Sequence, residues 1–368
     1  MKVNKKEINK KAGSLMDKLK KNTSLKNVSI ITESDLFNEV DDVATTAIPM
    51  INVALGGSID GGIGRGITSI AGPSKHFKTS FALVMVAGFL NKHEDGVCLF
   101  YDNEFGAKEE YFDAYGVDTS RVIHNPFSNI EELKFDIVKQ LSELENTDRV
   151  IILIDSIGNA ASKKEEVEDA LSEKSAADMT RAKQLKSLFR MITPQLNLKK
   201  IPLIAINHTY QTQEMFSKTI MGGGEGAIYS SNTILFVTKS KLKEGDEHTG
   251  SYFTLVANKS RYIKENVKIP ITVRLNGGIA KWSGFEELAE EWGVIEKCRI
   301  SRSLGYQYDS MKKGLIQVKA TEIDSANDFW NLVLEETDLK QRIEAHFKLS
   351  VVKPLELEIV DETEEIAE

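Results

Sequence analysis

Cysteine is nearly absent: Cys98 and Cys298 are the only two in 368 residues, and they lie far apart. So few thiols exclude a disulfide framework and a cysteine-held zinc, and fit a reducing cytoplasm. Long apolar runs are lacking as well; none nears the ~20 residues that span a bilayer. The Lys-rich start is followed by no apolar segment, so it is not read as a secretory signal. No internal repeat is found. What is present is a soluble, globular composition, long enough for one large domain with smaller flanking ones.

Basic side chains are missing from the other end. Residues 355–368 hold seven carboxylates (Glu356, Glu358, Asp361, Glu362, Glu364, Glu365, Glu368) and no Lys or Arg. The formal net charge is −8, so nearly all of the excess sits in that stretch. An acidic chain of this kind still admits a polyanion partner. The acidic end reads either as a solubilising tail or as a regulatory one. Residues 1–26 carry nine Lys against Glu7 and Asp17. Ile8, Leu15, Met16 and Leu19 form an apolar stripe at helical spacing there. The expected element is a basic helical arm, packed on its own core or on a neighbouring subunit, with a mixed linker over 27–48.

From about Pro49 to Gly278 the pattern alternates. Apolar, strand-like runs at Ile67–Ala71, Val97–Tyr101, Val150–Ile154 and Leu203–Ile206 alternate with helical periods at Ser80–Leu90, Asn129–Leu144 and Ser175–Ile192. Such alternation predicts an α/β fold with a mostly parallel sheet covered by helices. The runs at Ile234–Val237, Tyr252–Val256 and Ile269–Leu275 have shorter connections and predict added strands, some antiparallel. Four regions are expected: the arm and linker (1–41), a core (42–284), a small mixed module (285–350) with helices near Asp328–Leu334 and Leu339–Phe347, and the acidic tail (351–368).

The chemistry is organised around Gly72-Pro73-Ser74-Lys75-His76-Phe77-Lys78-Thr79-Ser80. A loop between strand and helix that closes on Lys-Thr is where a phosphate-binding loop belongs, because backbone N–H groups and a helix N-terminus face the phosphate oxygens. Lys78 is expected to reach the β- and γ-phosphates, and the Thr79 hydroxyl to hold Mg²⁺. The usual form, G-x-x-x-x-G-K-[ST], has glycine where Phe77 stands. Ligands in open α/β sheets bind beyond the C-terminal strand ends, and three other strands end there in polar groups. These are Asp102 and Glu104, Asp155 and Ser156, and Asn207 and His208. An aspartate after an apolar strand, such as Asp155, holds Mg²⁺ opposite the loop threonine. Glu104 is best placed to deprotonate an attacking water. His208 reads either as a loop histidine without a role or as a group that feels the γ-phosphate.

Two long stretches carry the remaining signals. Gly158–Ala177 is rich in Lys and Glu, and the helix after it shows Lys183, Lys186 and Arg190 on one face. That face is either a groove for a nucleic-acid backbone or a solvated surface. Thr209–Tyr229 reads as one mobile loop holding Tyr210, Phe216, Lys218 and Gly222-Gly223-Gly224, a set suited to single-stranded nucleic acid.

Taken together these residues resemble the RecA-class strand-exchange recombinases, and within them the T-even-phage branch of the UvsX type. The resemblance runs from about Asp42 to Glu296. Its carriers are Ile48-Pro49-Met50, Ala71-Gly72-Pro73-Ser74-Lys75, Phe77-Lys78, Leu99-Phe100-Tyr101-Asp102, Met179-Thr180-Arg181-Ala182-Lys183, Ile206-Asn207-His208-Thr209-Tyr210, Gln213–Lys218 and Met221–Gly224. The phage branch also has Phe before the loop lysine. The resemblance implies a P-loop ATPase core with ATP and Mg²⁺ as cofactors. Glu104 is then the general base, His208 the γ-phosphate sensor and Tyr111 the aromatic beside adenine. It places Lys183, Arg190 and the two long loops on single-stranded DNA. Lys259 and Arg261 then reach the ATP of a neighbouring subunit in a helical filament. Homologous double-stranded DNA, a recombination mediator and a single-strand-binding protein are the implied partners, in the cytoplasm of an infected bacterium. The alternatives are a ring-forming replicative helicase with the same core, and an ATP-binding regulator that never touches DNA.

Overall fold

The computed structural model describes residues 5–34, 42–166, 179–212, 219–244, 247–275 and 277–349. It divides into two compact units, 1–42 and 43–368. In the first, α1 spans Lys5–Asn22, a short 3-10 turn covers Ile31–Glu33, and Lys20 pairs with Glu33 at 3.3 Å. Of the expected apolar stripe, Leu15, Met16 and Leu19 lie on α1 with exposed side chains.

The second unit runs α2 (Pro49–Gly56), β1 (Gly66–Ala71), α3 (Lys78–Lys92), β2 (Val97–Asp102), α4 (Glu109–Ala114), β3 (Val122–Pro126), α5 (Ile130–Glu143), β4 (Val150–Asp155), α6 (Met179–Leu198) and β5 (Pro202–Asn207). It continues with β6 (Thr209–Gln211), β7 (Thr219–Met221), α7 (Gly224–Ser230), β8 (Thr233–Glu244), β9 (Glu247–Ser260), β10 (Lys268–Arg274) and β11 (Gly278–Ile279). It closes with α8 (Phe285–Glu291), β12 (Glu296–Ile300), β13 (Ser303–Ser310), β14 (Gly314–Lys319), α9 (Asn327–Glu336) and α10 (Leu339–Phe347).

Nine strands form one sheet in the order β11-β10-β9-β8-β1-β5-β4-β2-β3. From β8 to β3 every pairing is parallel; β8 to β11 are antiparallel. Strands β1, β4 and β5 are buried at every position, because helices cover both faces of the parallel part. Side chains alternate between two cores. Ile70, Phe100, Leu153 and Ile206 pack on the side of α3, and Ile67, Tyr101, Ile154 and Ala205 on the side of α5 and α6. The chain is thus an α/β protein with a mostly parallel central sheet, an N-terminal helical arm and a small C-terminal module. In that module β12, β13 and β14 form a separate antiparallel sheet. Trp330 and Phe347 anchor its helices in the same core as α3.

Several boundaries differ from the sequence reading. Helix α3 starts at Lys78, two residues before the apolar period begins. Helix α6 continues through Pro194 to Leu198, since Leu196 is fully buried on its core face. Thr209–Tyr229, read as one loop from its glycines, contains the β6–β7 ribbon and α7. Those glycines serve packing and turning: a side chain on Gly222 would meet Tyr210 at 2.8 Å, and Gly223 turns into α7 at φ +89°.

Candidate active site

The loop of residues 72–77 leaves β1 against β8. A Cβ on Gly72 would lie 2.9 Å from the Val237 carbonyl oxygen, so only glycine permits that approach. Lys75 and Phe77 hold positive φ, +61° and +57°, conformations that side chains rarely adopt. Lys78 opens α3 and is buried; its Nζ donates to the Pro73 carbonyl at 2.8 Å. Burial lowers its pKa, while Glu104 and Asp155 act the other way.

Thr79 Oγ1 donates to Asp155 Oδ2 at 2.7 Å. The other oxygen, Asp155 Oδ1, is buried with no donor. Burial pushes the Asp155 carboxyl up to about 6, helped by Glu104 and Asp102 and opposed by the Thr79 bond and Lys78. A hydroxyl beside a carboxylate with one unmatched oxygen is a hard-oxygen donor set, which fits Mg²⁺. Among the described residues no group of three or more His, Cys, Asp or Glu forms a metal cage.

Three polar side chains converge on one oxygen of Glu104. Its Oε1 accepts from Ser156 Oγ at 2.5 Å and Asn159 Nδ2 at 2.9 Å, and lies 3.2 Å from His208 Nε2. The turn that carries it is fixed from below. Asp102 Oδ1 accepts the N–H groups of Glu104 and Phe105, both at 2.9 Å, and Oδ2 lies 3.2 Å from His124 Nε2. From His208 the connection continues. Gly222 N–H donates to the His208 carbonyl at 2.9 Å, and Asn207 Nδ2 donates to the Gly222 carbonyl at 2.6 Å. The carboxylate is thus connected by hydrogen bonds, through one histidine, to the base of the β6–β7 ribbon.

These groups surround a cleft of about 320 Å³. Residues 74–79 form one wall; Glu104, Tyr111, Asp155, Ile206, His208 and Lys239 form the rest. Gly72 and Pro73 lie behind it as loop backbone. Ser80 turns away from it: its side chain is fully buried and its Oγ meets the Tyr111 hydroxyl at 2.5 Å. Lys259 does not line the cleft; its Nζ donates to the carbonyls of Ile228 and Tyr229 at 2.8 and 3.0 Å, at the end of α7. Arg261 is exposed. On α6, Lys183, Lys186 and Arg190 are exposed while Leu185, Leu188 and Phe189 are buried, so the three cations share the outer face. Tyr210 is half exposed beside Gly222. Phe216 and Lys218 lie outside the described residues.

Reading by motif missed Asn159, a polar residue that no spacing singles out, and the bridging role of Asn207. It also missed Arg181, whose guanidinium donates to the carbonyls of Ala160, Ile157 and Gly158 at 2.8, 3.0 and 2.9 Å and ties the start of one long loop to α6.

The family described as RecA N-terminal domain matches residues 10–278. The "Recombination and repair protein" of Enterobacteria phage T4 is 49% identical over 283 residues, covering 77% of this chain and 72% of that one. "Protein RecA" of Cutibacterium acnes is 27% identical over 71% of this chain and 74% of its own. That of Helicobacter pylori strain P12 is 24% identical over 77% and 79%. With the RecA N-terminal domain over most of its length and a phage recombination protein identical at half of the aligned positions, the chain belongs to the RecA family of recombinases.

Proposed function

We propose that this chain is a DNA-dependent ATPase that forms a helical filament on single-stranded DNA and pairs it with homologous double-stranded DNA. The observation that carries the reading is the bond of Glu104 to His208, because it joins the residue suited to activate water to the ribbon that leads into residues 213–218. A group on the γ-phosphate side of the cleft that displaces this bond changes the ribbon at the same time. Nucleotide and DNA are then linked by an order–disorder switch.

The chain's own residues supply positioning and charge, which is most of what phosphoryl transfer needs. Backbone N–H groups of residues 74–79 face the phosphates. Lys78 exchanges the Pro73 carbonyl for the phosphate tail. Tyr111 offers its ring to the base. Glu104, fixed by Ser156 and Asn159, orients the attacking water and accepts its proton. Thr79 and Asp155 hold Mg²⁺, which neutralises charge on the phosphate oxygens when bound. Lys259 and Arg261 face away from the chain's own cleft and meet the ATP of the next subunit. Lys183, Arg190, Tyr210, Phe216, Lys218 and Gly222–Gly224 form the DNA surface, with cations on phosphates and aromatics on bases.

Electron microscopy with single-stranded DNA and a non-hydrolysable ATP analogue tests this, beside ATP hydrolysis with and without DNA. Filaments and DNA-stimulated hydrolysis are expected. Closed rings would favour a helicase-like motor. ATP binding with no DNA complex would leave only a regulatory ATP-binding protein.

A further inference from the structure

The phosphate loop carries a phenylalanine at one of its two left-handed positions, and the fold shows how it is held. Phe77 has φ +57° and ψ +20°. A residue with a Cβ enters that region at a cost of about tenfold in population, whereas glycine enters it freely. Something outside the loop must therefore favour it. The Phe77 ring lies 5.2 Å from that of Phe253, tilted by 45°. Phe253 is fully buried on β9 and meets Phe81 edge-on at 5.7 Å. Phe77 and Phe81 are four residues apart, and Phe81 N–H donates to the Phe77 carbonyl at 3.0 Å. One ring on β9 thus grips both ends of the first turn of α3, whose Lys78 and Thr79 line the cleft.

The other left-handed residue of the loop is reached from the same place. Lys239 on β8 is the cross-strand partner of Phe253. Its Nζ lies 5.6 Å from the centre of the Phe253 ring and donates to the Lys75 carbonyl at 3.5 Å. Both residues at positive φ are therefore tied to one cross-strand pair.

We propose that Phe253, supported by Lys239, is a positioning residue for nucleotide binding: it holds Phe77 in the left-handed conformation that glycine supplies in the usual loop. Phe253 does not line the cleft. It acts by aiming the loop's N–H groups, and the inference rests on the nucleotide reading given above.

A double-mutant cycle tests it. The dissociation constant of a fluorescent ADP is measured without DNA for Phe253→Leu in two backgrounds, one with Phe77 and one with Phe77→Gly. With Phe77 the substitution should weaken ADP about tenfold, the cost of leaving a side chain unheld at positive φ. In the Phe77→Gly background it should weaken ADP less than about twofold, because glycine needs no anchor. Phe253→Met, which refills the core with a flexible chain, is read in the same way, so the cycle survives if the leucine variant does not fold. A merely structural role for Phe253 predicts the same loss in both backgrounds, and that result, like no loss with Phe77, overturns the inference. Absence of ADP binding by the unaltered protein overturns the nucleotide reading and this inference together. Normal ADP binding by the unaltered protein with equal losses in both backgrounds overturns this inference alone.

Discussion

Two clusters of buried acids differ in what lies beside their unpaired oxygens. One is at the strand ends, where Asp155 Oδ1 has no donor and adjoins an open cleft with Lys78 across it. The other is under the C-terminal module. There Glu286 Oε2 and Asp324 Oδ1 both lack a donor, while Arg274 Nε donates to Asp324 Oδ2 at 3.0 Å and Arg274 Nη2 to the Ala320 carbonyl at 3.2 Å. Burial raises the pKa of the acids in both. The difference is in how the orphaned oxygens are satisfied. In the cleft there is room for an incoming ligand to do it. In the module, burial and the Asp324 charge hold the Glu286 carboxyl above its ordinary range, and a proton kept there would make it a donor to Asp324. An unmatched buried acceptor thus marks a binding site only where there is room and countercharge for something to arrive.

The comparison breaks if an acid of the cleft proves to be structural. Glu104→Gln keeps the shape and cannot accept a proton. Turnover should fall by about 10²–10⁴-fold, the range for a lost general base, with ADP affinity and melting temperature nearly unchanged. Single-turnover hydrolysis beside ADP titration reads both. Loss of ADP binding together with turnover would make Glu104 a structural acid and erase the contrast. Lys78→Ala should lose about 10²-fold or more in turnover as well, since it removes the cation aimed at the developing charge. It should also weaken ADP, which Glu104→Gln should not.

The module cluster should answer in stability instead. Arg274→Leu removes the cation and leaves Asp324, only 3% exposed, without its charged partner. Breaking a buried pair from one side costs about 3–5 kcal/mol. Urea denaturation should show a loss of that order, with turnover per folded molecule little changed. A change below about 0.5 kcal/mol would place Arg274 among ordinary surface residues.

The two clusters were also unequally legible in the sequence. Asp155 and Asp102 end apolar runs that are buried almost throughout, and such runs are read without a partner in view. The phosphate loop and His208 follow strands of the same kind. Arg274 and Asp324 are 50 residues apart and form a pair only once β10 and the module share a core. Strand β14 has no fully buried residue, so its period carries little signal, and the three-stranded sheet stayed hidden inside a region read only as mixed. Strand β3 escaped for a similar reason: Ile123 faces solvent at the sheet edge and Val122 is only partly buried. The Gly222–Gly224 run reads as loop, and in the structure it joins β7 to α7. Glycine at positive φ turns into a helix as readily as it loosens a loop, and only Tyr210 and Leu185 beside it show which applies.

The smallest expected effect is the sharpest test of proton sharing. Burial first, and the nearby Asp324 charge next, hold the Glu286 carboxyl well above its ordinary value of 4.5, while Arg274 pulls the other way. Glu287, bonded to the Tyr252 hydroxyl at 2.6 Å, adds negative charge nearby, and Tyr306 lies within reach of the same acids. A carboxyl with a raised folded pKa binds more protons folded than unfolded. Its contribution to stability is therefore greatest at low pH and declines as pH rises from about 4.5 through neutrality. Glu286→Gln places a permanent N–H donor where the proton sits and cannot ionise. Its stability relative to the unaltered protein should rise by about 1 kcal/mol or more between pH 5 and pH 8, because each tenfold difference in proton affinity between the folded and unfolded chain is worth about 1.4 kcal/mol. The same comparison with Glu287→Gln, at an exposed position, should show a smaller rise. Parallel stability curves for Glu286→Gln and the unaltered protein across that range would mean that Glu286 is ionised throughout, and that the module cluster leaves its acceptors unmatched just as the cleft does.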